Sequence, residues 1–196
     1  GNVKSTASSS DPRNTFLSKI AKSDGSVQWT KLLSVDMEAA SHFVSNDAIY
    51  LTYHDKNTDK LTLMKFDYDG NVQYEYQYNG VGCWDMTMYG DYIYVTGKPT
   101  ITSDISIAKI SAIDGNYEWG INLAQGAVDY GQSIKVTSEG IFVTGGTRYT
   151  TPREAAYLVK IDQNGNLVWE KFFGDSSSST NSQYRGLVVE DDAIYT

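Results

Sequence analysis

A β-like run, a tight turn and an aromatic residue four positions past the turn glycine recur four times along the 196 residues. The segments are LSKIAKSDGSVQW (17–29), LMKFDYDGNVQY (63–74), IAKISAIDGNYEW (107–119) and LVKIDQNGNLVW (158–169). Their turn glycines, Gly25, Gly70, Gly115 and Gly165, are spaced by 45 to 50 residues. A period of that size marks a repeat architecture in which each unit buries its apolar face against a neighbour. Each turn is Asp-Gly or Asn-Gly between apolar runs, which predicts a hairpin with a type I′ turn. Lysine followed by an apolar residue precedes each turn (Lys19-Ile20, Lys65-Phe66, Lys109-Ile110, Lys160-Ile161), and Trp29, Tyr74, Trp119 or Trp169 follows it. Equivalent aromatics at equivalent places imply one shared packing role between neighbouring units.

A second set of strands lies between these hairpins: AIYLT (48–52), YIYVTG (92–97), IFVTGG (141–146) and AIYT (193–196). A shorter strand leads into each: SHFVS (41–45), DMTMY (85–89), SIKVT (133–137) and GLVVE (186–190). The unit is therefore four short antiparallel strands. This predicts an all-β chain, a β-propeller built from four repeats of four antiparallel strands. No window carries helical periodicity, and the 15 tyrosines within a 13% aromatic content favour pleated surfaces. Pro12, Pro99 and Pro152 all fall in polar connections, where a missing N–H does no harm.

The expected organisation is one domain over 1–196. Its units run over 1–39 (outer strands), 40–83, 84–130, 131–183 and 184–196 (inner strands). The four units are thus offset by half a blade. Either the end segments join in one composite blade, giving a closed four-blade ring, or the chain is an arc cut in phase from a longer propeller. The start on Gly1 rather than Met fits a processed or excised chain.

Composition narrows the partners. The net charge is −8, with a pI near 4.7, and a chain that tracks phosphates needs a basic face, so nucleic acid is not expected. No apolar run reaches the ~20 residues of a membrane span. Cys83 is the single cysteine, and a buried thiol is expected rather than a nucleophile paired with His42 or His54. Neither histidine has a metal-ligand partner at a recognisable spacing. Asp67-Tyr68-Asp69-Gly70 begins like a calcium loop, but the twelfth position is Tyr78 rather than glutamate, so a hairpin turn is expected. No catalytic, metal or cofactor set is expected.

The alternation of D-x-x-G-N-L-V-W-like hairpins with I-Y-V-T-G strands resembles the SBBP-type β-propeller repeats of bacterial surface and secreted proteins. Lys160, Ile161, Gly165 and Trp169 carry the likeness in the fullest copy, with Ile141, Val143, Thr144 and Gly145 in the preceding strand. The second copy departs from it, with Tyr74 for tryptophan and Tyr53 where glycine would follow. The resemblance implies a propeller in an extracellular or cell-surface setting and implies no reaction. A more distant likeness is to quinoprotein propellers, whose blades also place a tryptophan after a glycine turn. That family needs metal-binding carboxylates around a cofactor, and no such constellation stands here.

Propeller ligands usually sit where the innermost strands begin. By the isoleucine register those positions are Ser41, Asp85, Ser133 and Gly186, preceded by Ala40, Trp84, Gln132 and Arg185, with Tyr130 and Tyr184 nearby. The candidate ligand-binding set is Trp84, Asp85, Gln132, Tyr184 and Arg185, against the plainer role of lining a channel and capping strands. The expected function is a non-catalytic binding or scaffold module. Its ligand would be a protein or glycan, and further blades or domains of a longer parent chain would be neighbours. The alternative is part of a propeller hydrolase, lyase or quinoprotein dehydrogenase whose active site lies partly outside this chain.

Overall fold

The computed structural model describes residues 14–35, 38–55, 58, 60–99, 102–124, 126, 128–148, 154–174 and 182–196. Every regular element among them is a β-strand. β1 (Asn14–Ile20) pairs with β2 (Val27–Val35) as a two-stranded sheet. The first four-stranded sheet holds β3 (Glu38–Val44), β4 (Ile49–Asp55), β5 (Lys60–Phe66) and β6 (Val72–Asn79). The second holds β7 (Asp85–Tyr89), β8 (Tyr92–Gly97), β9 (Ile105–Ser111) and β10 (Tyr117–Leu123). The third holds β11 (Val128–Thr137), β12 (Gly140–Arg148), β13 (Glu154–Ile161) and β14 (Leu167–Phe173). β15 (Val188–Val189) and β16 (Ile194–Tyr195) form a last, short hairpin. Within each sheet, strands pair antiparallel with their neighbours in chain order.

The two half-units, β1–β2 and β15–β16, form separate sheets, so no ring closes among the described residues. Pro12, Pro152, Gly1 and most of the polar connections 5–14, 147–155 and 174–181 lie outside those residues. Pro99 is buried in the connection from β8 to β9.

Burial explains the strand sequences. β8 and β9 read as nearly unbroken apolar runs because both of their faces are covered, whereas β10 and β14 alternate or lie open as the outermost strands. One apolar cluster fills each junction. Leu17, Trp29 and Leu33 meet Leu51, Met64 and Phe66 at the first. Tyr50, Leu61 and Leu63 meet Ile93, Val95 and Ile110 at the second. Tyr94, Ile105 and Ile107 meet Ile134, Val143 and Val159 at the third. Phe142, Leu158 and Trp169 meet Leu187, Val189 and Ile194 at the fourth. Each fully buried isoleucine or leucine contributes about 1.5–3 kcal/mol.

The turns differ from the type I′ form expected. At residues 67–71 the Gly70 amide donates to Asp67 O at 3.1 Å and the Asp67 amide to Asn71 O at 3.0 Å. That is a three-residue loop, a type I turn closed by a glycine bulge. Residues 162–166 repeat it, with Gly165 N to Asp162 O at 3.1 Å. The other two loops are one residue longer, Gly25 N reaching Ala21 O and Gly115 N reaching Ser111 O, both at 3.0 Å. Asp67 accepts from the Asn71 side chain and from the amides of Asn71 and Asp69. Those bonds hold its carboxyl below the usual range. The Asp-X-Asp-Gly run is thus occupied as a turn.

All four turn glycines have φ between 71° and 88°, a region side chains with a Cβ rarely enter. Three of them also receive the preceding unit's aromatic. Trp29 lies 3.4 Å from where a Gly70 Cβ would stand, and its Nε1 donates to Tyr68 O at 3.2 Å. The Tyr76 ring covers Gly115, while Tyr78 Oη donates to Gly115 O at 2.6 Å and Tyr74 Oη to Ala112 O at 3.2 Å. Trp119 lies 3.4 Å from the equivalent point at Gly165. An aromatic of the preceding unit therefore lids each of these three turns: the repeated tryptophan at Gly70 and Gly165, and Tyr76, two residues past the repeated Tyr74, at Gly115.

In the three complete sheets the repeated lysine lies over an aromatic ring, whereas Lys19 donates to Tyr68 O at 3.2 Å. Lys65 lies over the Tyr50 ring at 5.4 Å and within 3.9 Å of Asp47. Lys160 lies over Phe142 at 5.1 Å and within 3.7 Å of Glu139. Lys109 lies over Tyr92 at 3.9 Å and Tyr94 at 5.9 Å.

Candidate functional site at the inner-strand ends

The residues ahead of the innermost strands occupy irregular backbone. The β3–β4 register shifts between Ala39 and Ser41, and the β11–β12 register between Gly131 and Ser133, which leaves Ala40 and Gln132 at bulges. Trp84 holds the corresponding place before β7 and donates its amide to Thr96 O at 2.7 Å. A bulge re-aims the side chain it carries and ends regular pairing, and such positions often border sites.

Trp84 is held firmly. The segment 81–83 crosses β8 and β9 so closely that a Cβ on Gly97 would stand 2.7 Å from the Cys83 amide nitrogen. Ser106 Oγ accepts from the Gly82 amide at 3.0 Å and donates to Gly82 O at 3.1 Å. Cys83 is buried there, its sulfur 3.1 Å from Thr52 Oγ1. Burial pushes its thiol up to about 12. The chain thus delivers Trp84 to the surface, 43% exposed, with its ring 5.3 Å from that of Tyr130. Tyr130 itself is buried, its ring lying over Gly146, where a side chain would collide with it.

Asp85 has another task. Its Oδ2 accepts from Ser133 Oγ at 2.8 Å and from the Ile134 amide at 3.0 Å, and its Oδ1 from the Met86 amide at 2.9 Å. The carboxylate ties the second four-stranded sheet to the third. That network leaves it turned toward protein rather than toward a ligand.

The remaining candidates stand further along the same end. Gln132 is half-buried at its bulge. Tyr184 packs edge-on against Phe173 at 5.4 Å, and its amide reaches Gly145 O at 3.4 Å. Since Gly145 faces Gly131 across the β11–β12 pair, Tyr184 approaches the neighbourhood of Tyr130 and Gln132. Arg185 is exposed beside it. The structure therefore brings Trp84 and Tyr130 into contact, sets Gln132 and Tyr184 on neighbouring backbone, and assigns Asp85 to the scaffold.

Sequence reasoning did not anticipate Asp129, a fully buried carboxylate that accepts from Thr147 Oγ1 and, at 2.8 Å, from the Gly126 amide. It pins the loop before β11 and so supports Tyr130. Nothing local distinguishes it from the surface aspartates. His42 is exposed and His54 half-buried on adjacent strands. Among the described residues no three His, Cys, Asp or Glu side chains form a metal-holding group. Two clefts of about 290 and 390 Å³ lie at the fourth and first junctions, away from Trp84.

These features define an all-β protein of stacked, repeated antiparallel sheets with an aromatic platform at its inner-strand ends. No helix of the described residues is long and apolar enough to cross a membrane. No protein-family model matches the chain, and no curated protein matches its sequence.

Proposed function

We propose that the chain is a non-catalytic binding or scaffold module, folded as an arc of β-propeller blades and belonging to a secreted or cell-surface protein. The likeness of its hairpins and I-Y-V-T-G strands to SBBP-type repeats supports that setting. The observation that carries the binding reading is the exposed Trp84 ring braced on Tyr130. An indole fixed in this way presents a flat apolar face at little entropic cost, suited to a sugar ring or to an apolar side chain of a peptide. Gln132 and Arg185 supply polar donors along the same end. Further blades or domains of a parent chain would flank the module.

Glycan and peptide arrays test the reading and separate the two ligand classes. The wild-type chain should retain a defined set of spots. Trp84→Ala should weaken capture at least tenfold, the ~1.4 kcal/mol expected of one aromatic anchor, with an unchanged circular dichroism spectrum. Arg185→Ala should weaken it less. Equal capture by wild type and both variants, or no capture by wild type on either array, would dispose of the platform as a binding site.

A further inference from the structure

The sequence contains two Asn-Gly pairs, Asn79-Gly80 and Asn164-Gly165. Such a pair carries its own reaction. The glycine amide nitrogen attacks Cγ of the asparagine, and glycine permits the approach because it has no side chain to obstruct it. The new N–Cγ bond closes a succinimide ring and the Cγ–Nδ2 bond breaks. Nδ2 leaves as ammonia, taking up the proton that the glycine nitrogen gives up. Water then opens the ring at one of its carbonyls, its hydrogen returning to the glycine nitrogen. Opening at Cγ leaves aspartate, and opening at the main-chain carbonyl leaves isoaspartate, in which the chain runs through Cγ. The sum is amide plus water to acid plus ammonia, with no change of oxidation state.

The fold treats the two pairs differently, and not through the asparagines, since both are exposed. The difference lies at the glycine nitrogen. Gly165 N donates to Asp162 O at 3.1 Å, and the amides on either side of it, Asn164 N and Asn166 N, donate to Asp162 Oδ1 at 2.9 and 2.8 Å. Ring closure needs the glycine nitrogen turned toward Cγ, so this turn must open before it can react. Trp119 and Ile121 stand over the glycine, 3.4 and 3.5 Å from the place of a Cβ, and leave it half-buried. The Asp-Gly pairs at Gly25, Gly70 and Gly115 are guarded alike, each glycine N–H donating back across its turn at 3.0 to 3.1 Å.

Gly80 has none of this cover. The β5–β6 ladder ends at Lys60 and Asn79, so Gly80 lies one residue past the last pair. It is exposed, and nothing lies within 4 Å of the place of its Cβ. Among the described residues no backbone carbonyl accepts from its amide.

We propose that Asn79 is the principal site of spontaneous deamidation in this chain, and that the fold guards Asn164 from the same reaction. The product sets a carboxylate opposite Lys60 and makes the formal net charge, −8 at pH 7, one unit more negative. Its isoaspartyl form lengthens the main chain by one carbon where β6 passes into the segment that delivers Trp84. That segment runs through buried Val81 and through Gly82, whose amide donates to Ser106 Oγ. The reaction consumes only water and is independent of what the Trp84 platform binds.

The folded full chain, held in mildly alkaline buffer and sampled over days, tests this by ion exchange and by peptide mapping with mass spectrometry. Asn79 should convert at least ~10-fold faster than Asn164, the factor that an opening free energy of about 1.4 kcal/mol for the guarded turn imposes. The product at position 79 should be a mixture of isoaspartate and aspartate. In urea strong enough to unfold the chain, the two sites should convert at similar rates. Asn79→Gln should remove the early acidic species from the ion-exchange profile and leave the circular dichroism spectrum unchanged. Comparable conversion at Asn79 and Asn164 in the folded chain overturns the proposal, as does an Asn79 that stays intact there. A preference for Asn79 that persists undiminished in urea overturns it too, since it would then belong to the local sequence and not to the fold.

Discussion

Replacing the turn glycines with alanine, one at a time, separates the two reasons a glycine stands there. The backbone reason applies at every turn, because φ of 71° to 88° costs an alanine about 1–2 kcal/mol. The packing reason varies. At Gly25 the new methyl meets nothing within 4 Å, at Gly165 it touches Trp119 at an ordinary 3.4 Å, and at Gly115 it overlaps the Tyr76 ring. Overpacking adds about 1–3 kcal/mol where a ring must move. Gly25→Ala and Gly165→Ala should therefore each cost about 1–2 kcal/mol, and Gly115→Ala about 2–5 kcal/mol. Thermal melts followed by far-ultraviolet circular dichroism read these as shifts. At ~2–4 °C per kcal/mol for a chain of this size, Gly25→Ala should lower Tm by ~2–8 °C and Gly115→Ala by up to ~20 °C. Equal shifts at Gly25 and Gly115 would show that the aromatic lid, here the Tyr76 ring, does not constrain the turn, and the account of the lids would fall with it.

Other substitutions read the rest of the scaffold. Asp85→Asn sets an amide N–H against either the Ile134 or the Met86 amide and should destabilise the fold by about 1–3 kcal/mol in urea titration, while Trp84→Ala should not. Thr144 Oγ1 is buried with no hydrogen-bond partner among the described residues, so Thr144→Val should be neutral or stabilising. Thr96→Val, which removes a 3.0 Å bond to Ser106 O, should cost ~1 kcal/mol by the same titration. Cys83 should resist alkylation at pH 8 in the native protein and react on unfolding, since burial raises its thiol from 9.0 to about 12. Because the raised value belongs to the folded state, this thiol's effect on stability should be flat below pH 9 and unfavourable as pH rises from 9 toward 12. Comparing wild-type and Cys83→Ala melts across that range isolates it.

The strands and their phase were legible because burial on alternating or both faces leaves its period in the residues. DMTMY and YIYVTG coincide with β7 and β8 to the residue. Loop type was less legible. Asp-Gly and Asn-Gly permit a two-residue turn, but the ladder shifts beside the repeated lysine, as between Lys65 and Phe66, and releases an extra residue. The aromatic platform was half visible. Trp84 follows from the isoleucine register, but its brace on Tyr130 depends on how two sheets meet. The role of Asp85 could not be read, because Ser133 and Ile134 lie 48 and 49 residues away and nothing local aims the carboxylate at them. The two-residue length of β15 and β16 was also not legible in the longer runs 186–190 and 193–196.

The placing of the lids has a spectroscopic consequence. Trp29, Trp119 and Trp169 sit at the first, third and fourth junctions, the second is sealed by tyrosines, and Trp84 faces water. Each indole reports mainly on its own seam. Variants that keep one tryptophan and replace the others with phenylalanine would turn ordinary emission into a map of where the stack opens first. The silent second seam would be read by difference.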